Sequence, residues 1–99
     1  MTDHKLLELA AKAARIADLQ QVGNIWYYTN GGYLMRDWNP ITDDGDRYRL
    51  ARTCKMRIDF QEGLVFAGYE IAFRFTPGND KEEAYAIVRA AAEIRRNMK

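Results

Sequence analysis

RDWNPITDDGDRYRLA, residues 36–51, is the stretch on which the reading of the chain turns. Pro40 lacks the N–H that a central strand needs and disfavours a helical Asn39, so the chain must turn there. Immediately afterwards Thr42 or Asp43 is placed to cap a helix, with Asp44 and Asp46 close to the partial positive charge of its first turn. The pattern predicts a short helix from about Asp43 to Cys54, with Leu50, Ala51 and Cys54 inward and Arg49, Arg52 and Lys55 towards water. Three carboxylates so close together also invite a metal or acid–base reading. "DDGD" has neither the twelve-residue spacing nor the terminal glutamate of an EF-hand loop, and capping by Thr42, Asp43, Asp44 and Asp46 accounts for the residue types without a metal.

Upstream, Thr2 or Asp3 can cap a first helix in which Leu6, Leu9, Ala10, Ala13, Ile16 and Ala17 recur at three- and four-residue steps, ending before Gly23. "NIWYYTNGGYLM" (24–35) reads as two strands about an Asn30-Gly31-Gly32 turn. Downstream, Met56, Ile58 and Phe60 alternate, as do Ile71, Phe73 and Phe75, which is the signature of half-buried strands. "LVFAGY" (64–69) supplies another strand, with a bulge or bend at Gly68. Asp80 and Glu83 have capping-box spacing before a last helix with a stripe of Ala84, Ile87, Val88, Ala91, Ile94 and Met98. The expected order is α-β-β-α-β-β-β-α: one α+β domain over residues 1–99, its helices packed on a four- or five-stranded, mainly antiparallel sheet. Leu9, Ile58, Phe73, Ile87 and Val88 are the expected core.

The 99 residues carry 15 Lys and Arg against 14 Asp and Glu, a formal charge of +1, so the general attraction of a nucleic-acid or membrane binder is missing. No run approaches the length of a membrane span, and the N-terminal residues mix charges into the apolar ones as a secretory signal does not. Cys54, the one cysteine, cannot form an internal disulfide, which points to a reducing cytoplasmic location. A Ser-His-Asp triad is impossible because the chain contains no serine, His4 is its one histidine, and the usual glycine-rich phosphate loops are absent. No catalytic residue, metal or cofactor is assigned.

Arg47, Arg49, Arg52, Lys55 and Arg57 form a basic run with no acid among them, yet three acids precede it, so a solvated helix face is favoured over a nucleic-acid surface. Trp38 either closes the edge of the core or, with Tyr33, Arg36, Arg49 and Arg52, rims a binding surface. Exposed edge strands or the tyrosine-rich hairpin could pair two copies of the chain.

Three segments, "LLELAAKAA" (6–14), "WNPITDDGDRYRLA" (38–51) and "AIVRAAAEI" (86–94), resemble a group of small uncharacterised proteins of tailed phages and prophages. Related phage domains of that kind are described as α-β-α sandwiches. Here "RYRLA" replaces a small residue before Arg-Leu-Ala, and "TCKMRIDF" is more basic than usual. The resemblance implies a phage origin and carries over no activity; a compact, charge-balanced domain without catalytic machinery fits binding better than turnover, so the expectation is a phage-encoded accessory binding protein acting in the infected host's cytoplasm. Its expected role is to inhibit or sequester a host-defence component, either a host protein or a small signalling nucleotide. The alternative is a small metal-dependent nuclease or nucleic-acid-binding domain built on Asp43, Asp44, Asp46 and the basic run.

Overall fold

The Thr2 side chain accepts the Lys5 N–H and opens the first helix, α1 (Asp3–Ala14), which ends when Arg15 turns left-handed and its N–H returns to the Ala11 carbonyl. In the computed structural model, which describes residues 2–16, 18–30, 33–68 and 71–97, the chain continues as β1 (Leu19–Val22), β2 (Ile25–Asn30) and β3 (Tyr33–Trp38). Then come α2 (Asp44–Thr53), β4 (Arg57–Asp59), β5 (Leu64–Ala67), β6 (Ile71–Arg74) and α3 (Asp80–Arg96). The class is α+β, as expected. The sheet is not: two three-stranded antiparallel sheets, ordered β1-β2-β3 and β4-β5-β6, replace the expected sheet of four or five strands.

The additional strand is β1. Its Leu-Gln-Gln-Val carries no apolar alternation, and it is held by its ladder to β2, with Val22 paired to Ile25 across Gly23-Asn24. Gly23, expected just beyond the end of the first helix, has φ +62° and supplies the first turn position of this hairpin. The sheets are separate because Pro40 and the helix start take the chain out of the ladder after Trp38. Each sheet then pairs only with its own neighbours in sequence. The turn expected at Asn30-Gly31-Gly32 lies outside the described residues, except that Asn30 pairs with Tyr33 beside it. Ala17 and Met98 also lie outside them.

α3 is the hub, packing on α1, on β5 and β6, and on α2. Its cap is Asn79, one residue earlier than expected: the Asn79 side chain accepts the Glu82 N–H and donates to the Glu82 carboxylate at 2.7 Å. Because Glu82 completes the box, Glu83 is free to lie on the buried side beside Ala84, Ile87, Val88 and Ala91. Alanines at 10, 11, 14, 84, 86, 90, 91 and 92 are buried, and such small side chains let α1 and α3 approach closely.

The core joins these alanines, Ala84 excepted, to Leu6, Leu7, Trp38, Leu50, Val65, Phe75, Ile87 and Val88. Ile87 and Val88 are inaccessible as expected, whereas Leu9, Ile58 and Phe73 are half-buried against the same cluster. On α1 the inward face is turned towards Leu7 and Ala11, and Phe60 falls beyond the end of β4 into an exposed turn. Between β4 and β5, Gly63 has φ +75°, and a Cβ there would collide with the Phe75 carbonyl oxygen and come within 3.0 Å of Pro77 Cδ. The Phe75 N–H donates to the Gly63 carbonyl at 2.9 Å, so the turn packs directly on the chain leaving β6. The radius of gyration, 13.1 Å, is that of about 100 residues folded as one unit.

Candidate functional site

The β2–β3 ladder pairs Trp26 with Trp38 and Tyr28 with Arg36, then shifts register between Tyr28 and Thr29. Cross-strand partners share a face, so Trp26, Tyr28, Arg36 and Trp38 lie together; the first two pack on the core and Trp38 enters it. α2 meets this face with Asp46. Asp44 and Asp46 are two residues apart on a helix, so they point in different directions. Asp44 is exposed, whereas Asp46 is fully buried.

Every acceptor position of the Asp46 carboxylate is engaged. Arg36 donates to both oxygens, at 2.8 and 3.1 Å, the Tyr28 hydroxyl donates at 3.0 Å, and the Asn39 N–H donates at 3.0 Å. One side chain thus ties α2 to β2, to β3 and to the intervening loop. Burial alone would raise the Asp46 pKa, but the bonds from Arg36, Asn39 and Tyr28 outweigh it and hold the carboxyl below the ordinary aspartate range. The Tyr28 ring lies between two guanidinium groups, Arg36 at 4.5 Å and Arg49 at 5.5 Å from its centroid, and Arg49 donates to its hydroxyl at 2.6 Å. Burial raises the phenol pKa and the Asp46 carboxylate adds to this, against an opposing pull from Arg49. The hydroxyl therefore stays protonated as a donor.

The helix cap is Asp43, whose Oδ1 accepts the Asp46 N–H at 3.0 Å; Thr42 is exposed in the preceding turn, its N–H donating to the Asn39 carbonyl. Beyond the cap lies a second knot. Arg47, expected on the solvated face, is buried because it lies on the Leu50 and Ala51 side of α2, and it donates to the Pro40 and Ile41 carbonyls at 3.0 Å each. Its guanidinium lies 3.6 Å from Glu83 of α3, which also accepts the Tyr48 hydroxyl at 2.9 Å.

Chemically, these groups are committed. The three carboxylates diverge: Asp43 caps, Asp44 faces water and Asp46 is saturated by donors. Among the described residues no group of three His, Cys, Asp or Glu side chains is arranged to hold a metal ion. His4 is exposed on the first turn of α1. Cys54, half-buried at the end of α2, has its thiol pushed up to about 11 by burial. Such a thiol is protonated at neutral pH and is a poor nucleophile.

Of the candidate binding residues, Arg36 and Arg49 come together on Tyr28. Trp38, 1% exposed, is part of the core and does not rim a surface. Arg52 is exposed in the last turn of α2, and Tyr33, 78% exposed, lies at the far end of β3, roughly 17 Å from Trp38 at the rise of an extended strand. Arg57 covers the Phe66 ring at 4.6 Å, so the basic run forms no single positive face.

A different surface emerges on the N-terminal sheet. Of the seven large apolar side chains exposed among the described residues, five belong to β1–β3: Val22, Ile25, Tyr33, Leu34 and Met35. Val22 and Ile25 are cross-strand partners, and with Tyr27 and Met35 they fall on the face opposite Trp26, Tyr28 and Trp38. The sequence shows these residues as strand formers; that they face outward follows only once the inner face is known. No helix of the described chain is long and apolar enough to cross a membrane. Compared with protein-family models, curated proteins and solved structures, the chain matches none of them significantly.

Proposed function

We propose that the chain is an accessory binding protein that presents the outer face of β1–β3 to a partner protein. One observation carries the reading: the exposed apolar side chains are concentrated on that face, with Val22, Ile25 and Met35 each about half or more exposed (46, 47 and 63%). Exposed apolar side chains gathered on one face of a sheet mark an interaction site, and a sheet held at its base by Trp38 and Asp46 can meet a partner without first being ordered. The divergence of Asp43, Asp44 and Asp46 favours binding over a metal-dependent nuclease. The resemblance to small tailed-phage proteins suggests a host-defence protein as the target, with inhibition or sequestration as the outcome.

The test uses Ile25→Asp with Met35→Asp. A partner captured from bacterial lysate by the unaltered protein is identified, purified and titrated against both forms. The double variant should keep its circular dichroism and unfolding midpoint and lose at least 30-fold in affinity, corresponding to a hot-spot contribution of about 2 kcal/mol. Undiminished binding by the folded double variant would remove this face from the proposal.

A further inference from the structure

A second surface, on other elements, has the chemistry of an anion site. Arg74 ends β6, at the edge of the second sheet, and Lys81, Tyr85 and Arg89 recur at four-residue steps on one side of α3. Together with Glu82 they line a cleft of about 210 Å³ between strand and helix. None of the three cations forms an ion pair among the described residues, a property they share with Arg15, Arg52, Lys55, Arg57 and Arg95. Among the described residues the one carboxylate lining the cleft, Glu82, has both oxygens engaged, by the Thr76 hydroxyl at 3.0 Å and the Asn79 amide at 2.7 Å. Arg89 is held over the Tyr85 ring at 5.6 Å, and the Tyr85 hydroxyl is held by Asp3 at 2.8 Å. The cleft therefore has an excess of positive charge, two guanidinium forks suited to bidentate contact with phosphate oxygens and a lysine able to act as a point charge.

Its two ends differ. Past Lys81 and Tyr85 a depression carries Asp3, Asp44 and Asp80, which repels an anion and keeps it towards Arg74 and Arg89. Arg89 also lines a neighbouring groove of about 210 Å³, with Leu6, Phe73 and Ala92 together with Glu93 and Arg96. Taken together, the two neighbouring volumes on either side of Arg89 reach the lower part of the range of small-molecule sites, ~300–1,000 Å³.

We propose that the β6–α3 cleft binds a phosphate group through Arg74, Lys81 and Arg89. The ligand is a small phosphate ester whose apolar portion extends along the Leu6, Phe73 and Ala92 groove, or free phosphate occupying the cleft alone. The site is independent of the partner surface on β1–β3.

The experiment is a titration of the whole chain, followed by amide chemical shifts, with inorganic phosphate, adenosine 5′-monophosphate and adenosine. Saturable shifts centred on Arg74, Lys81, Tyr85 and Arg89 are expected with both phosphates. A gain of tenfold or more for the monophosphate over inorganic phosphate identifies an ester that uses the groove; equal affinities identify free phosphate. Arg74→Gln and Lys81→Gln, exposed changes on different elements, should each weaken binding at least fivefold, while Lys12→Gln on α1 leaves it unchanged. Adenosine binding as tightly as its monophosphate would overturn the proposal. So would an absence of saturable shifts in the cleft, or equal weakening by Lys12→Gln.

Discussion

Asp46→Asn keeps the shape of the side chain and removes the charge on which four donors converge. In the native protein that carboxylate accepts two hydrogen bonds from Arg36, one from the Tyr28 hydroxyl and one from the Asn39 N–H. The amide that replaces it has one acceptor oxygen, and its NH₂ must face groups that are themselves donors. Breaking a buried ion pair costs about 3–5 kcal/mol, but the Arg36 side chain is 46% exposed and regains water, which lowers the expected loss to roughly 2–4 kcal/mol. At about 4–8 °C per kcal/mol for a domain of this size, the midpoint should fall by at least ~8 °C. Urea unfolding at pH 7 measures the loss directly.

The pH dependence supplies the sign. The folded-state pKa is depressed, so Asp46 contributes its full stabilisation above the unfolded aspartate value of about 3.9. That contribution disappears as pH falls through the folded value, so the difference between native protein and Asp46→Asn should narrow below about pH 4. A variant within 0.5 kcal/mol of native at pH 7, or a difference constant down to pH 2.5, would refute the reasoning.

Asp43→Ala should cost about 0.5–2 kcal/mol by removing the cap of α2, while Thr42→Ala, exposed and outside the cap, should stay within about 0.5 kcal/mol in the same denaturation assay. Trp38→Ala should cost about 3–5 kcal/mol, because a fully buried indole leaves a cavity between the first sheet and the helices; calorimetry reads it as a large fall in midpoint. Gly63→Ala should cost about 2 kcal/mol or more, since φ is +75° and the new methyl must displace the Phe75 backbone. Equal thermal midpoints for the two proteins would contradict that contact.

Much of the helical layer can be read from the sequence, because helix starts and buried stripes are local properties. The α2 start falls where Pro40 and Asp43 place it, and α3 buries Ala84, Ile87, Val88 and Ala91. β1 is hidden because its stability comes from its partner strand, and no alternation in Leu-Gln-Gln-Val announces it. Asp43, Asp44 and Asp46 look equivalent as letters, yet Asp46 precedes Leu50 by four residues and so shares its face, a signal carried by the spacing itself. Glu83 gives a similar signal, a carboxylate four residues before Ile87 on the apolar stripe. The pairing of Arg36 with Tyr28 depends on a shifted register, and the approach of Arg74 to Lys81 and Arg89 depends on how α3 lies over β6. Neither is written in any one segment.

Cys54 gives the molecule a built-in clock. The thiolate is the form that attacks thiol reagents, and a thiol with a pKa of about 11 is ionised only to about one part in a thousand at pH 8, against roughly a quarter for an unperturbed cysteine near 8.5. Modification of the folded chain is therefore slowed relative to an ordinary cysteine, and any opening at the end of α2 adds a faster route. With one cysteine in the sequence, each molecule can be counted once, by a single mass increment. The rate of that increment, compared with the rate in denaturant, reports how far the fold at the end of α2 protects this thiol under native conditions, with no altered residue.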